Sequence, residues 1–241
     1  PISPVQSSSY PTVLFNAMVK PWTAFPIKGV IWYQGEANVG RSEQYGDLFP
    51  ALITDWRRQW RSDFPFYFVQ LANFMESKKI QPDSEWAALR EAQTKALKLD
   101  QVGMAVTIDI GLADDIHPKN KQEVGRRLAL VALAGSYGKN VSSSAPVFQN
   151  YIIKGNKMEL DFGQKQDGFQ IKGTTLKGFT IAGPDRVFYP AEAMVHDGKI
   201  ILSSTEVPAP LAARYGWADN PDCNLYGENG LPVAPFRTDC W

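Results

Sequence analysis

From about residue 9 to residue 137, short apolar runs alternate with stretches whose apolar residues recur every three or four positions. No other feature narrows the fold as much, because the two periods belong to strands and helices respectively. Gly29-Val-Ile-Trp-Tyr33, Phe66-Tyr-Phe-Val-Gln-Leu71 and Met104–Ile110 read as strands. Tyr45, Leu48, Phe49, Leu52, Ile53, Trp56 and Trp60 share the face of one helix, and Trp86, Leu89, Ala92, Ala96 and Leu97 that of another. Asn120 with Glu123 has the form of a capping box opening a third helix, whose face carries Val124, Leu128, Val131, Ala132 and Gly135. Ser9 and Pro11 open an earlier helix running to about Val19, with Pro21 stopping it. Crossover connections place neighbouring strands parallel, so the expected fold class is α/β, a doubly wound, mostly parallel sheet with helices on both faces.

After Ala145 the pattern changes to short alternating runs around turn residues, Gly155-Asn156 and Asp197-Gly198, which reads as β structure. The stretch from Thr205 to Trp241, rich in Pro, Gly, Asn and aromatics, reads as an irregular tail packed back on the rest. The expected division is therefore 1–142, 143–204 and 205–241.

Lysine plus arginine and aspartate plus glutamate balance at 25 each. That balance gives no electrostatic pull toward nucleic acid or an anionic membrane, and no apolar window is long enough to span a bilayer. The N-terminus shows no signal-peptide pattern and begins at Pro1, so the chain is read as part of a longer one. Cys223 and Cys240 lack the spacing of a zinc site; paired, they would suit an oxidising, extracytoplasmic compartment, and as reduced thiols they would say nothing of location.

Ligands of an open α/β sheet bind beyond the carboxyl ends of its strands. The first strand delivers Gln34, Glu36 and Asn38; the second delivers Gln70 and Asn73; the third delivers Asp109 and then Asp114, Asp115 and His117. His117 is one of two histidines and the leading general base. Asp114, three residues earlier, has the spacing to orient the imidazole, and Asp115 is the alternative. A plain polar loop before a helix, or metal binding by the acidic residues, fits the same residues. Gln34 can donate its amide to a developing oxyanion, and Glu36 is expected to orient neighbours such as Arg90 or to hold the loop. His196 precedes a hairpin turn and reads as structural.

Pro11-Thr-Val-Leu-Phe-Asn16, Val30-Ile-Trp-Tyr-Gln-Gly-Glu36, Asp55-Trp-Arg57, Pro65-Phe-Tyr-Phe-Val-Gln-Leu71, Leu89-Arg-Glu-Ala-Gln93 and Ile116-His-Pro-Lys-Asn-Lys-Gln122 together resemble the sialate O-acetylesterases and related carbohydrate acetyl esterases of the SGNH (GDSL) hydrolase superfamily, as do Arg214-Tyr-Gly-Trp217 and Phe236-Arg-Thr-Asp239. The resemblance implies an SGNH-type sheet, incomplete in this chain, followed by a smaller β-rich segment. It also implies serine-based removal of acetyl groups from sugar hydroxyls without metal or organic cofactor, with Gln34 at the oxyanion position and Asp114 and His117 as the Asp-x-x-His block. Glu36, Asn38 and Arg90 are expected to support the site or bind substrate. The family's Gly-Gln-Ser-Asn-Met-like nucleophile block has no counterpart here. Val5-Gln-Ser-Ser-Ser9 lacks the preceding glycine and strand, so the serine is expected from an N-terminal half of the same precursor, the implied partner. A non-catalytic carbohydrate-binding module and a lipase- or thioesterase-like hydrolase of the same fold are the competing readings.

Overall fold

The computed structural model describes residues 10–163 and 168–241, so Val5–Ser9 and the expected helix start at Ser9 lie outside the described residues. Three parallel strands, β1 (Val30–Trp32), β2 (Phe66–Val69) and β3 (Val102–Ala105), form one sheet in the order β1-β2-β3. Val30 pairs with Phe66, and Phe66 with Val102. Alternation along β2 sorts its side chains to two layers. Phe66 and Phe68 face α1 (Ser42–Trp60) and α2 (Glu85–Thr94), where Phe49, Ile53 and Leu89 complete an aromatic-rich core. Tyr67 and Val69 face α3 (Lys121–Gly135), against Val124, Leu128 and Val131. Each fully buried side chain of this kind contributes about 1.5–3 kcal/mol, which is what holds helices to both faces of so short a sheet.

Local signals fix the ends of these helices. Asn120 Oδ1 accepts from the Glu123 backbone N–H at 3.1 Å, the cap anticipated for α3, and Ser84 caps α2 by accepting from Ala87. The α1 face is narrower than its periodicity implied, since Leu48 is exposed, as is Leu97 after α2. The segment before β1 is not one regular helix. A π-turn at Phe15–Val19 passes into a 3₁₀ turn at Lys20–Trp22, where Pro21 occupies the first turn and its missing N–H costs nothing. The strands are also shorter than the apolar runs. Past Ala105 the backbone turns, Ile110 N bonding to Thr107 O, and Thr107 Oγ1 bonds to Gln70 O in place of the ladder.

β1 lies at the edge of the sheet, with Ile31 70% exposed, and its outer side has no strand partner among the described residues. Leu14, Met18, Trp22 and Phe25, just before it in sequence, are exposed as well.

The β-rich part holds a four-stranded antiparallel sheet, β4 (Asn150–Lys154), β5 (Lys157–Asp161), β10 (Lys199–Ser203) and β9 (Glu192–His196). Its hairpins turn at Gly155-Asn156 and Asp197-Gly198, and positive φ at both Asp197 and Gly198 matches the twist a two-residue turn requires. His196 is exposed beside that turn. β6 (Phe169–Ile171) pairs with β12 (Leu225–Gly227), and β7 (Phe179–Ala182) and β8 (Phe188–Pro190) pair with each other. The segment after Thr205 is not irregular throughout. β11 (Ala212–Tyr215), buried along its length, lies between β7 and β13 (Phe236–Arg237), because its small and aromatic residues fit the interior between the sheets. Cys223 and Cys240 are both free thiols. No helix among the described residues is long and apolar enough to cross a membrane.

Candidate active site

The chain leaves β1 through Gly35, whose φ of 154° and contact with Gln93 would strain any side chain there, and enters a 3₁₀ turn at Glu36–Asn38. This reversal brings Gln34 and Asn38 face to face, and Gln34 Nε2 donates to Asn38 Oδ1 at 2.7 Å. The Tyr45 hydroxyl from α1 lies 3.3 Å from Gln34 Oε1 and donates from the same distance to the Gln34 backbone oxygen, which also accepts from Gln93 Nε2 at 3.4 Å. The Gln34 amide is therefore oriented through its nitrogen, with one N–H unspent among the described residues.

His117 stands on the loop between β3 and α3, and its side chain is 85% exposed. Gln34, Glu36 and His117 line one cavity of about 340 Å³, together with Tyr33, Ala37, Ile116, Pro118 and Lys121. No serine lines it among the described residues.

The carboxylate next to the imidazole is that of Asp115, not Asp114. Asp115 Oδ1 lies 3.6 Å from His117 Nδ1, beyond hydrogen-bond length, and accepts from the His117 backbone N–H at 2.9 Å. Asp115 thus shapes the turn as a side chain bonding its own backbone two residues on. Asp114 is exposed and has no hydrogen-bond or ion-pair partner among the described residues.

Arg90 does not meet Glu36. It is fully buried and donates to the carbonyls of Leu71, Ala72, Ala218 and Asp219 at 2.7–2.9 Å, so it clamps the end of β2 to the C-terminal segment. Burial pulls its pKa down to about 9, leaving it charged at neutral pH. The other strand-end residues are structural too. Gln70 donates to Arg90 O, Asn73 bonds Asn220 and Gly111, and Asp109 accepts a bidentate pair from Arg127 and a bond from the Tyr226 hydroxyl. Polar residues at strand ends thus divide between the cavity and the interface with the β-rich part, a distinction that depends on the tail's path.

Two polar lining residues were not anticipated, Tyr33 and Lys121. Lys121 Nζ lies 4.8 Å from the centre of the Tyr33 ring. The Tyr33 hydroxyl is buried without a hydrogen-bond partner among the described residues, and burial, then the charge of Glu36, pushes its pKa up to about 12. Their positions beside Gln34 and in the His117–Lys121 loop were the available signal. Among the described residues no group of three or more His, Cys, Asp or Glu could hold a metal ion, so the acidic loop gathers no such cluster.

Residues 5–134 match the family described as carbohydrate esterase, sialic acid-specific acetylesterase. The chain is 32% identical over 266 residues to human sialate O-acetylesterase, covering 98% of this chain and 50% of that protein. It is 29% identical over 270 residues to the rat sialate O-acetylesterase, covering 98% and 48%. The crystal structure of a carbohydrate acetylesterase from Xanthomonas citri superposes with a TM-score of 0.90 at 46% identity, covering 96% of this chain and 55% of that one. The chain thus spans about half the length of the relatives it matches. With its parallel sheet, its Gln-Gly-Glu turn and its histidine loop, it belongs to the carbohydrate esterase family of sialic acid-specific acetylesterases.

Proposed function

We propose that this chain forms the histidine-bearing half of a serine-type carbohydrate O-acetyl esterase, acting on acetylated sialic acid or plant-polysaccharide units, whose nucleophilic serine comes from an N-terminal half. The observation that carries this reading is the shared cavity: an oriented side-chain amide and an accessible imidazole border the same space, and no serine does among the described residues. His117 takes the proton from the incoming serine as it attacks the acetyl carbonyl, and Gln34 donates its free N–H to the tetrahedral oxyanion. As the tetrahedral intermediate collapses, the imidazolium gives that proton to the departing sugar oxygen and leaves an acetyl-serine, and water activated by the same, again neutral, imidazole then releases acetate and restores the serine hydroxyl. Asp114 is the orienting carboxylate, since Asp115 is committed to the turn and catalytic hydrogen bonds often tighten only in the assembled complex.

The outer edge of β1, which has no strand partner among the described residues, and the half-length coverage of the relatives support a partner segment that adds a strand there. The test is to co-express this chain with a half carrying a Gly-Gln-Ser-type block and assay an O-acetylated sugar. Activity is expected only from the combination; full hydrolysis by this chain alone contradicts the proposal.

A further inference from the structure

A second cavity, of about 470 Å³, opens between the 77–82 loop of the α/β part and the sheet carrying β7, β8 and β11. It shares no lining residue with the His117 cavity. Its volume falls in the range of about 300–1,000 Å³ occupied by small-molecule sites, which favour such junctions.

The floor is a fixed construction. The Arg214 guanidinium lies 4.0 Å from the centre of the Phe188 ring and 5.0 Å from that of Trp217, and is held by a bidentate pair with buried Asp239. Arg214 Nη1 and Trp217 Nε1 both donate to Pro82 O, at 2.8 and 3.1 Å, which ties the 77–82 loop across the junction. Asp219 secures the same loop by accepting from Ser84 Oγ and Gln81 Nε2.

The rim is cationic. Lys177 is neutralised by Asp222 at 2.9 Å and Arg214 by Asp239, but Lys78 and Lys79 have no ion-pair partner among the described residues. Thr180 and Gln81 add polar groups, and Phe179 and Ile80 add apolar wall. An anion alone would leave those apolar surfaces unused, and a neutral sugar would leave the two lysines unused. From this combination we infer that the cavity binds a sugar residue bearing a carboxylate, as a glycan-anchoring site separate from the catalytic cavity. The choice of a sugar among carboxylated ligands rests on the esterase reading; the anionic character rests on the cavity itself.

The test is calorimetric titration of the full chain with galacturonate, galactose and inorganic phosphate, repeated on the K78Q/K79Q and His117→Ala variants. Galacturonate is expected to bind about tenfold more tightly than galactose, with that advantage lost in K78Q/K79Q, as two exposed charge contacts would give. His117→Ala should bind galacturonate as the parent does. Equal binding of galactose, phosphate binding as tight as galacturonate, an unchanged K78Q/K79Q, or loss of binding in His117→Ala would each overturn the inference. Acetyl-ester turnover, measured separately on the co-expressed halves, decides the esterase reading and leaves the binding result to stand or fall alone.

Discussion

Gln34 Nε2 and Asn38 Oδ1 lie 2.7 Å apart, so the side chain proposed to stabilise the oxyanion is itself oriented by a residue four positions later on the same turn. The bond consumes one of the two amide hydrogens and aims the other. Replacing Gln34 by Ala should lower kcat of the co-expressed enzyme by about 10²–10³-fold, the loss expected for one oxyanion donor. Asn38→Ala keeps the donor and loses only its aim, so a smaller loss of about tenfold is expected. Steady-state kinetics on an acetyl ester reads both, and an equal effect of the two substitutions would contradict the division of labour.

Asp114 and Asp115 separate in the same assay. If Asp115 serves the turn and Asp114 the imidazole, Asp114→Asn should reduce kcat by up to about 10⁴-fold, as loss of a triad carboxylate does. Asp115→Asn should cost far less and act mainly through loop order. The reverse ranking would transfer the orienting role to Asp115, which already stands 3.6 Å from Nδ1.

Arg90 makes a prediction about stability rather than catalysis. Arg90→Met removes the guanidinium from four buried carbonyls, of which Ala72 O keeps Trp86 Nε1 and Asp219 O keeps the Phe74 backbone N–H, and should lower the unfolding free energy by about 3 kcal/mol in urea titrations. A loss within experimental error would mean that water replaces the guanidinium and that the clamp is not what joins β2 to the C-terminal segment.

Glu123 gives a pH dependence. Hydrogen bonding to Arg126 first, and then to Arg127, holds its carboxyl down at about 2 in the folded protein, against an ordinary value of 4.5. A depressed carboxyl pKa adds stability that is complete above the unfolded value and disappears as pH falls from 4.5 to about 2. The side chain is partly exposed, and screening reduces the contribution to about 1 kcal/mol. The stability gap between the parent and Glu123→Gln should therefore be present at pH 6 and close through this acid window; a gap constant with pH would contradict the assignment.

Much of the α/β part was legible because each layer carries its own period. Phe66 and Phe68 alternate with Tyr67 and Val69, and Asn120 announces α3 through a local hydrogen bond. The π-turn at Phe15–Val19 was not legible, since nothing in those side chains specifies a wider helix. Nor was β11, whose four residues are buried on both faces and show no alternation. In the site, Gln34, Glu36, Asn38 and His117 were marked by their positions after strands, whereas Asp109 and Asn73 carried the same mark and serve the interface, and Arg90, inside α2, meets the same segment. What separates the two groups is the return of residues 218–226 over one side of the sheet, a contact between positions more than a hundred residues apart.

In the proposed mechanism the imidazole at position 117 is the base for ester hydrolysis in this cavity. Turnover of an O-acetylated sugar by the co-expressed halves, with and without His117→Ala, measures it most directly. A fall of about a thousandfold or more in kcat with folding intact is expected; turnover that survives the substitution would remove His117 from the chemistry.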